Sequence, residues 1–284
     1  MNRLIMRFPE GKEKALTLSY DDGVNQDLRL VALLDRHGIK GTFNLNSTCL
    51  DQVGPGSASG HTYRMNADEM RPLYLPHGHE IAVHSVTHPF LEKLPTASAL
   101  MEVLEDRRRL EETFGTIVRG MAYPFGTTDD ELVEALRYSG IAYARTIRST
   151  ERFDIPTDWL RLPATCHHNN PRLMELWEQF MAPNTRPSPR LFYLWGHAYE
   201  FDDHDNWEVI ERFCEAAGEH DDVWYATNIE IFDYVQAYER LQFSVDTSRV
   251  YNPNAISVWF ATDRWPDNIR GEYVVQPGET LELK

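Results

Sequence analysis

Short apolar runs of strand length alternate with amphipathic segments of helical period along most of this chain, and that alternation restricts the fold more than any single residue does. The runs are Ala15–Tyr20, Ile39–Asn46, Glu80–Val83, Val118–Ala122, Ile141–Arg145, Leu160–Ala164, Leu191–Gly196 and Val223–Ala226. The helical patterns between them have recognisable ends. Asn25 opens one that runs through Leu30, Leu33 and Leu34 to Gly38, and Thr96 or Ser98 precedes a long charged one that ends near Gly115. Thr128 with Glu131 has the spacing of a capping box, and Asn206 and Asn228 are candidate caps for two more. Strands that alternate with helices pair in parallel through crossovers. Seven or eight such units predict an α/β fold, a (β/α) barrel rather than an open sheet. No GxGxxG follows the first run, which argues against a dinucleotide fold.

From about Ser244 the pattern changes to AISVWFA and EYVV, separated by Asn, Pro and Gly. The expected organisation is a barrel over residues 1–243 with a β-rich extension over 244–284 packed on it. Gly54–Gly60 (GPGSASG) reads as a flexible loop at the barrel mouth. A chain of 284 residues can bury a core of this size. Twenty-eight basic against forty-four acidic residues give a net charge of −16, which disfavours nucleic acid and anionic membranes as partners. Cys49, Cys166 and Cys214 are odd in number and widely spaced, so reduced thiols are expected rather than disulfides or a zinc ribbon. The start MNRLIMRFPEGKEK lacks the apolar core of a signal peptide, and no apolar stretch approaches transmembrane length, so a cytoplasmic location is expected.

In a (β/α) barrel the polar residues of a site lie at the C-terminal ends of the strands. Asp21 and Asp22 follow the first run, His84 the third, Tyr123 the fourth and His197 the seventh. His88 lies four residues after His84, one helical turn away if the chain coils there, so both imidazoles can face one metal ion. Taken alone, an HxxxH pair is more often exposed, and SYDDG is an ordinary strand-to-helix turn. Together on one rim they make a carboxylate-and-imidazole set suited to zinc, with cobalt, nickel or ferrous iron as alternatives. Two adjacent aspartates point in different directions, so one can ligate while the other acts as a base.

TLSYDDG, HSVTH and RGMAYPFG, in this order, resemble the first motifs of the polysaccharide deacetylase family (carbohydrate esterase family 4, the NodB-homology domain), and the likeness spans roughly residues 16–226. The resemblance implies a distorted (β/α) barrel that removes acetyl groups from N-acetylated sugars, or O-acetyl groups from xylan, with a divalent metal. It implies Asp22, His84 and His88 as metal ligands and Asp21 as general base. Arg119 would pair with Asp21, and the Tyr123 backbone N–H would stabilise the oxyanion. In DIPTDW, Asp158 would tune the catalytic histidine and Trp159 would wall the acetyl pocket. His197, ending LFYLWGH, would be the general acid, with His167, His168 and His204 as competitors for that role. Gly196 departs from the aliphatic residue usual before that histidine.

The expected function is therefore a metal-dependent deacetylase of a small carbohydrate, N-acetyl favoured over O-acetyl. A cyclic amide or formyl hydrolase is the alternative, motivated by Gly196. A catalytically silent carbohydrate-binding protein is a second, motivated by seven tryptophans, thirteen tyrosines and thirteen phenylalanines.

Overall fold

A computed structural model describes residues 2–51, 62–183, 188–264 and 269–283. The predicted mouth loop at 54–60 lies outside the described residues. β1 (Asn2–Arg7) stands apart from the barrel, whose strands are β2 (Lys14–Asp21), β3 (Gly41–Leu45), β4 (Glu80–Val83), β5 (Gly120–Ala122), β6 (Tyr143–Ser149), β7 (Leu162–Ala164), β8 (Cys166–His167), β9 (Arg190–Gly196) and β10 (Val223–Tyr225). They form one parallel sheet in the order β7-β6-β5-β4-β3-β2-β9-β8, with β10 paired to the first residues of β2. Closure depends on the short segment 162–167. Its first half pairs with β6 through Leu162 and Ala164, and its second half pairs with β9 through Cys166 and His167. The α/β class and distorted barrel read from the sequence are thus what the chain adopts, and β8 is the strand that the apolar pattern did not show.

Period-two alternation sends the two faces of each strand to different environments. On β2, Leu16, Leu18 and Tyr20 face outward into a core with Leu30 and Leu34 of α1 (Asp27–Arg36). The same outer core takes Met70 of α2 (Ala67–Met70), Val103 and Leu110 of α3 (Thr96–Phe114) and Leu132 of α4 (Asp130–Leu136). Trp177 of α5 (Leu173–Met181) joins it, as do Phe201 of α6 (Glu200–Asp203) and Phe213 of α7 (Glu208–Ala217). Among the described residues no helix is long and apolar enough to cross a membrane. The three cysteines are free and buried, as expected.

Several helix starts differ by a residue from the sequence expectation. The Asn25 side chain accepts from the Tyr63 N–H, so α1 begins after Gln26. Asp129 rather than Thr128 caps α4, accepting from the Leu132 N–H. Asn206 donates to Asn169, and α7 starts after Trp207 without a side-chain cap. Thr227 and Glu230 form the capping box of α8 (Asn228–Glu239), which frees Asn228 for the barrel interior.

That interior is polar, and it is hydrogen-bonded throughout its lower half. The N-terminus of α8 plugs the barrel at the N-terminal ends of the strands. The Asn228 N–H donates to Thr42 and its side chain bonds Thr17 and Tyr193, while the Ile229 N–H, the Thr42 hydroxyl and the Tyr143 hydroxyl all donate to Glu80. Burial pushes the Glu80 carboxyl up to about 7, against those three donors.

The C-terminal residues form two small antiparallel sheets. One joins β11 (Gln242–Phe243), β12 (Arg249–Tyr251) and β15 (Thr280–Glu282). In the other, β13 (Val258–Arg264) lies between β14 (Ile269–Val275) and the N-terminal β1. Tyr234 of α8 ties this sheet to the barrel, its hydroxyl donating to Arg7 and accepting from the Trp259 N–H.

Because Glu80 binds its proton more tightly folded than unfolded, stability falls as pH rises from about 4.5 through 7. Glu80→Gln removes that loss. We expect the variant to melt a few degrees above the parent at pH 8, on the order of 1 kcal/mol, and to match it at pH 4.5. Thermal unfolding at the two pH values checks this, and an equal shift at both would contradict it.

Candidate active site

Three of the chain segments that meet at the C-terminal ends of the strands carry residues in the left-handed region. Asp22 (φ 80°) follows β2, Ser85 (φ 65°) and His88 (φ 58°) follow β4, and Phe125 (φ 59°) follows β5. Such backbone costs free energy for a residue with a Cβ, and it persists where the surroundings over-determine it. Gly23 shows how tight the packing is: a Cβ there would lie 2.7 Å from Met70 Cε and 2.9 Å from Leu45 Cδ2. After β4 the chain does not coil into the helical turn expected from HxxxH. It doubles back in a tight turn in which the His88 N–H donates to Ser85 Oγ at 3.0 Å, and this brings His88 over His84.

The two imidazoles converge. His84 Nδ1 donates to the Ala122 carbonyl at 2.8 Å, which leaves Nε2 with its lone pair, and His88 Nε2 stands 3.1 Å from it. Burial lowers both histidines, His88 to about 4 with the adjacent His84 adding to the effect, so both rings are neutral near neutral pH. The two Nε2 atoms face each other with an Asp22 carboxylate oxygen within 4.8 Å of both, a donor set that fits a divalent cation. Arg64 holds Asp22 Oδ1 at 2.7 Å. Asp106, buried on α3, accepts from the backbone N–H groups of Ser47 and His84 and fixes the turn from beneath.

His167, His197 and Glu200 form a second group close enough to share an ion. Its proton positions argue otherwise. His167 Nδ1 accepts from the Asn169 N–H at 3.1 Å, so Nε2 carries the proton and points it at Glu200. The donor set that fits a metal is Asp22, His84 and His88.

Asp21 lies beside that set, nearly fully buried. Arg145 Nη2 donates to both of its oxygens, to Oδ1 at 2.6 Å, and Asn44 Nδ2 donates to Oδ1 at 2.8 Å. His197 Nε2 is 3.6 Å and His84 Nε2 4.0 Å from Oδ2. Burial alone would raise this carboxyl, but Arg145 first, then His84 and His197, outweigh it and hold it at about 2. His197 moves the other way. Burial would lower it, but its hydrogen bond to Glu200 and the Asp21 charge raise it above the ordinary histidine value.

Residues 9–144 match the family model described as polysaccharide deacetylase. Over that segment, under half of its length, the chain is similar to the polysaccharide deacetylase family. A curated relative, "Putative polysaccharide deacetylase YxkH" of Bacillus subtilis (strain 168), is 22% identical over 129 residues, 45% of this chain. The chain spans less than half of that relative's length, 43%. Among solved structures, a "putative polysaccharide deacetylase from Mycobacterium smegmatis" superposes with a TM-score of 0.59 at 18% identity, over 84% of this chain and 96% of the other. The peptidoglycan deacetylase PdaC from Bacillus subtilis does so with a TM-score of 0.51 at 17% identity, over 80% and 94%. At these identities the structures speak for the fold.

In this chain, four residues expected at the site are elsewhere or otherwise engaged. Arg119 precedes β5 and so lies at the lower end of the sheet, where it pairs with Asp233 on α8 at 2.9 Å. Arg145, on the next strand, holds Asp21 instead. The Tyr123 N–H donates to the Arg145 carbonyl at 3.0 Å within the sheet and is not available to an oxyanion. Asp158 pairs with Arg161, and Trp159 packs edge-on against Phe232 with ring centroids 5.1 Å apart. Neither contacts His197. The carboxylate that does is Glu200, which the sequence reading missed, with Oε1 2.7 Å from His197 Nδ1. Its signal was the three-residue spacing from His197 across a strand-to-helix turn.

The two histidine groups give opposite expectations for zinc. Equilibrium dialysis should show about one zinc per chain, weakened at least ~100-fold by His88→Ala or Asp22→Ala, with the stoichiometry unchanged in His167→Ala. Loss of zinc in His167→Ala alone would reverse the assignment.

Proposed function

We propose that the protein is a metal-dependent hydrolase that removes acetyl groups from an acetylated sugar or oligosaccharide, N-acetyl in preference to O-acetyl. The observation that carries this reading is the pairing of Asp21 and His197, 3.6 Å apart beside a metal-fitting donor set, with their proton affinities driven in opposite directions. Asp22, His84 and His88 would hold the ion, for which zinc is favoured. A bound divalent metal supplies Lewis-acid polarisation of the acyl carbonyl and acidifies an attacking water.

The chain's own residues do the rest. Asp21, ionised and clamped by Arg145 and Asn44, keeps Oδ2 turned toward the reacting space and accepts the proton of the water there. His197 Nε2–H faces the same space and donates to the departing atom. That donation matters most for an amine, because a deprotonated amine is too basic to leave unaided. This is the reason to favour N-acetyl.

Apolar surface beside the metal ligands supports a saccharide. Phe125 lies with its ring centroid 4.6 Å from that of His88 and stacks on Phe90 at 3.9 Å, and both phenylalanines are exposed at the rim. The C–H face of a pyranose packs on such rings. Gly196 gives no support to the formyl or cyclic-amide alternative. The room that its missing side chain leaves is filled by the His168 ring, so the acyl pocket is not enlarged there.

Acetate release from N-acetylated chito-oligosaccharides and O-acetylated xylo-oligosaccharides, before and after zinc or cobalt is returned to chelator-stripped enzyme, tests the reading. Metal-restored release is expected, larger on the N-acetyl series. Asp21→Asn should keep its zinc and lose at least ~10²-fold in rate. One bound equivalent of metal with no acetate from any substrate would overturn the proposal.

A further inference from the structure

We propose that Glu200 is the residue that positions His197, and that His168, seated in the side-chain space left by Gly196, locks Glu200 into that task. The proposal rests on the reading of His197 as the proton donor.

Glu200 is the first residue of α6, three residues beyond the histidine, and its two oxygens divide the work. Oε1 takes the His197 Nδ1–H at 2.7 Å, which fixes the tautomer and leaves Nε2 pointing to Asp21 Oδ2. Oε2 takes Asn169 Nδ2 at 2.7 Å and His168 Nε2 at 3.1 Å, with His167 Nε2 at 3.4 Å. A carboxylate with this many N–H donors stays ionised and cannot rotate away from His197. Burial would raise it, but the three histidines outweigh that and hold it far below the carboxylate range.

His168 is fully buried, its ring between Tyr20 at 5.8 Å and Phe201 at 4.2 Å, and its backbone N–H bonds the Trp195 carbonyl. Burial pushes it down to about 4, so the ring is neutral and its one N–H is the Nε2–H given to Glu200. The opposite edge of the ring lies against Gly196. A Cβ at that position would stand 2.0 Å from Nδ1, and here the obstacle is a ring held on both faces, not the flexible end of a side chain. Glycine before His197 and histidine at 168 are therefore one device. The charged and titratable groups that face His197 are Asp21 at the end of β2 and Asp22 just after it, His167 from β8, and Tyr199 and Glu200 from the turn into α6.

The test is made on full-length, zinc-loaded enzyme with 15N-labelled histidine rings. Their nitrogen shifts report the tautomer and titration midpoint of His197 whether or not a substrate is known. In the parent, His197 should carry its proton on Nδ1 when neutral and titrate above an ordinary histidine. Glu200→Gln should lower that midpoint by about one pH unit, a tenfold change in proton affinity. It should pull in the alkaline limb of kcat/KM by the same amount and lower kcat more than it raises KM. His168→Asn should move the midpoint the same way by less. Gly196→Ala should resemble His168→Asn, and combining the two should add little. Should Gly196→Ala fail to fold, Glu200→Gln and His168→Asn decide alone. An unmoved His197 midpoint in Glu200→Gln overturns the proposal even if acetate is released. A moved midpoint supports the pairing even if no acetylated sugar reacts, in which case it is the deacetylase reading that fails.

Discussion

The site depends on a buried ion pair, Asp21 with Arg145. The arginine is among the largest fully buried side chains in the protein, and its guanidinium lies 4.5 Å from the Trp195 ring while bonding both Asp21 oxygens. Two charges removed from water cost several kcal/mol each, and mutual attraction offsets this only when geometry is good and the remaining groups are hydrogen-bonded. Asn44 supplies that support to Asp21, whereas Arg145 Nε and Nη1 are buried without a hydrogen-bond partner, so the pair is retained at a cost. The same arginine's carbonyl takes the Tyr123 N–H, so the charge pair and the β5–β6 ladder fix each other. A pair held this firmly is a poor place to save stability and a good place to aim a carboxylate.

The barrel interior continues the same logic downward. Thr42, Glu80, Tyr143, Tyr193 and Asn228 form a hydrogen-bonded layer under Asp21 and Arg145, and the N-terminus of α8 closes it. A polar core specifies one arrangement because every unmet partner is expensive there. It also carries a cost: Glu80 and Asp106 are both pushed up to about 7 by burial without an opposite charge beside them. Asp106 shows what is gained, since its carboxyl holds the backbone of the turn that places His84.

Much of this was legible in the sequence, and the limits are physical. Short continuous apolar runs located most of the barrel strands, because strands covered on both sheet faces read that way. β1 was missed because its partner, β13, lies more than 250 residues away, and nothing local encodes that pairing. Asp21, Asp22, His84 and His197 stand out in the sequence because each follows or ends a strand, and His88 because it lies four residues beyond His84. Arg119 was misplaced because a strand has two ends. At about 3.3 Å per residue, a position before β5 is on the wrong side of the sheet from one after it. Arg145 looked like the last residue of an ordinary strand, and only the register of β6 against β5 reveals where it points. Asp158 and Trp159 came with the motif, but the segment that bears them precedes β7 and packs through Trp159 on Phe232 of α8, and the carboxylate that contacts His197 comes from a different turn.

That exchange of residues bears on the chemistry itself. A carboxylate held at about 2 is a weak base, and water at its ordinary acidity will not give it a proton at a useful rate. Asp21 therefore makes sense as a base only beside something that acidifies the water first. Asp22, His84 and His88, neutral imidazoles with converging lone pairs and a carboxylate, are the residues that would hold such an ion. The acid side has the opposite requirement. His197 must keep its proton while buried near neutral pH, and burial alone would strip it. Asp21 and Glu200, one on each ring nitrogen, reverse that tendency. On the proposed reading, the weak base and the retained acid share one electrostatic origin: Arg145 above all holds Asp21 ionised, and Glu200 with the Asp21 charge holds the proton on His197.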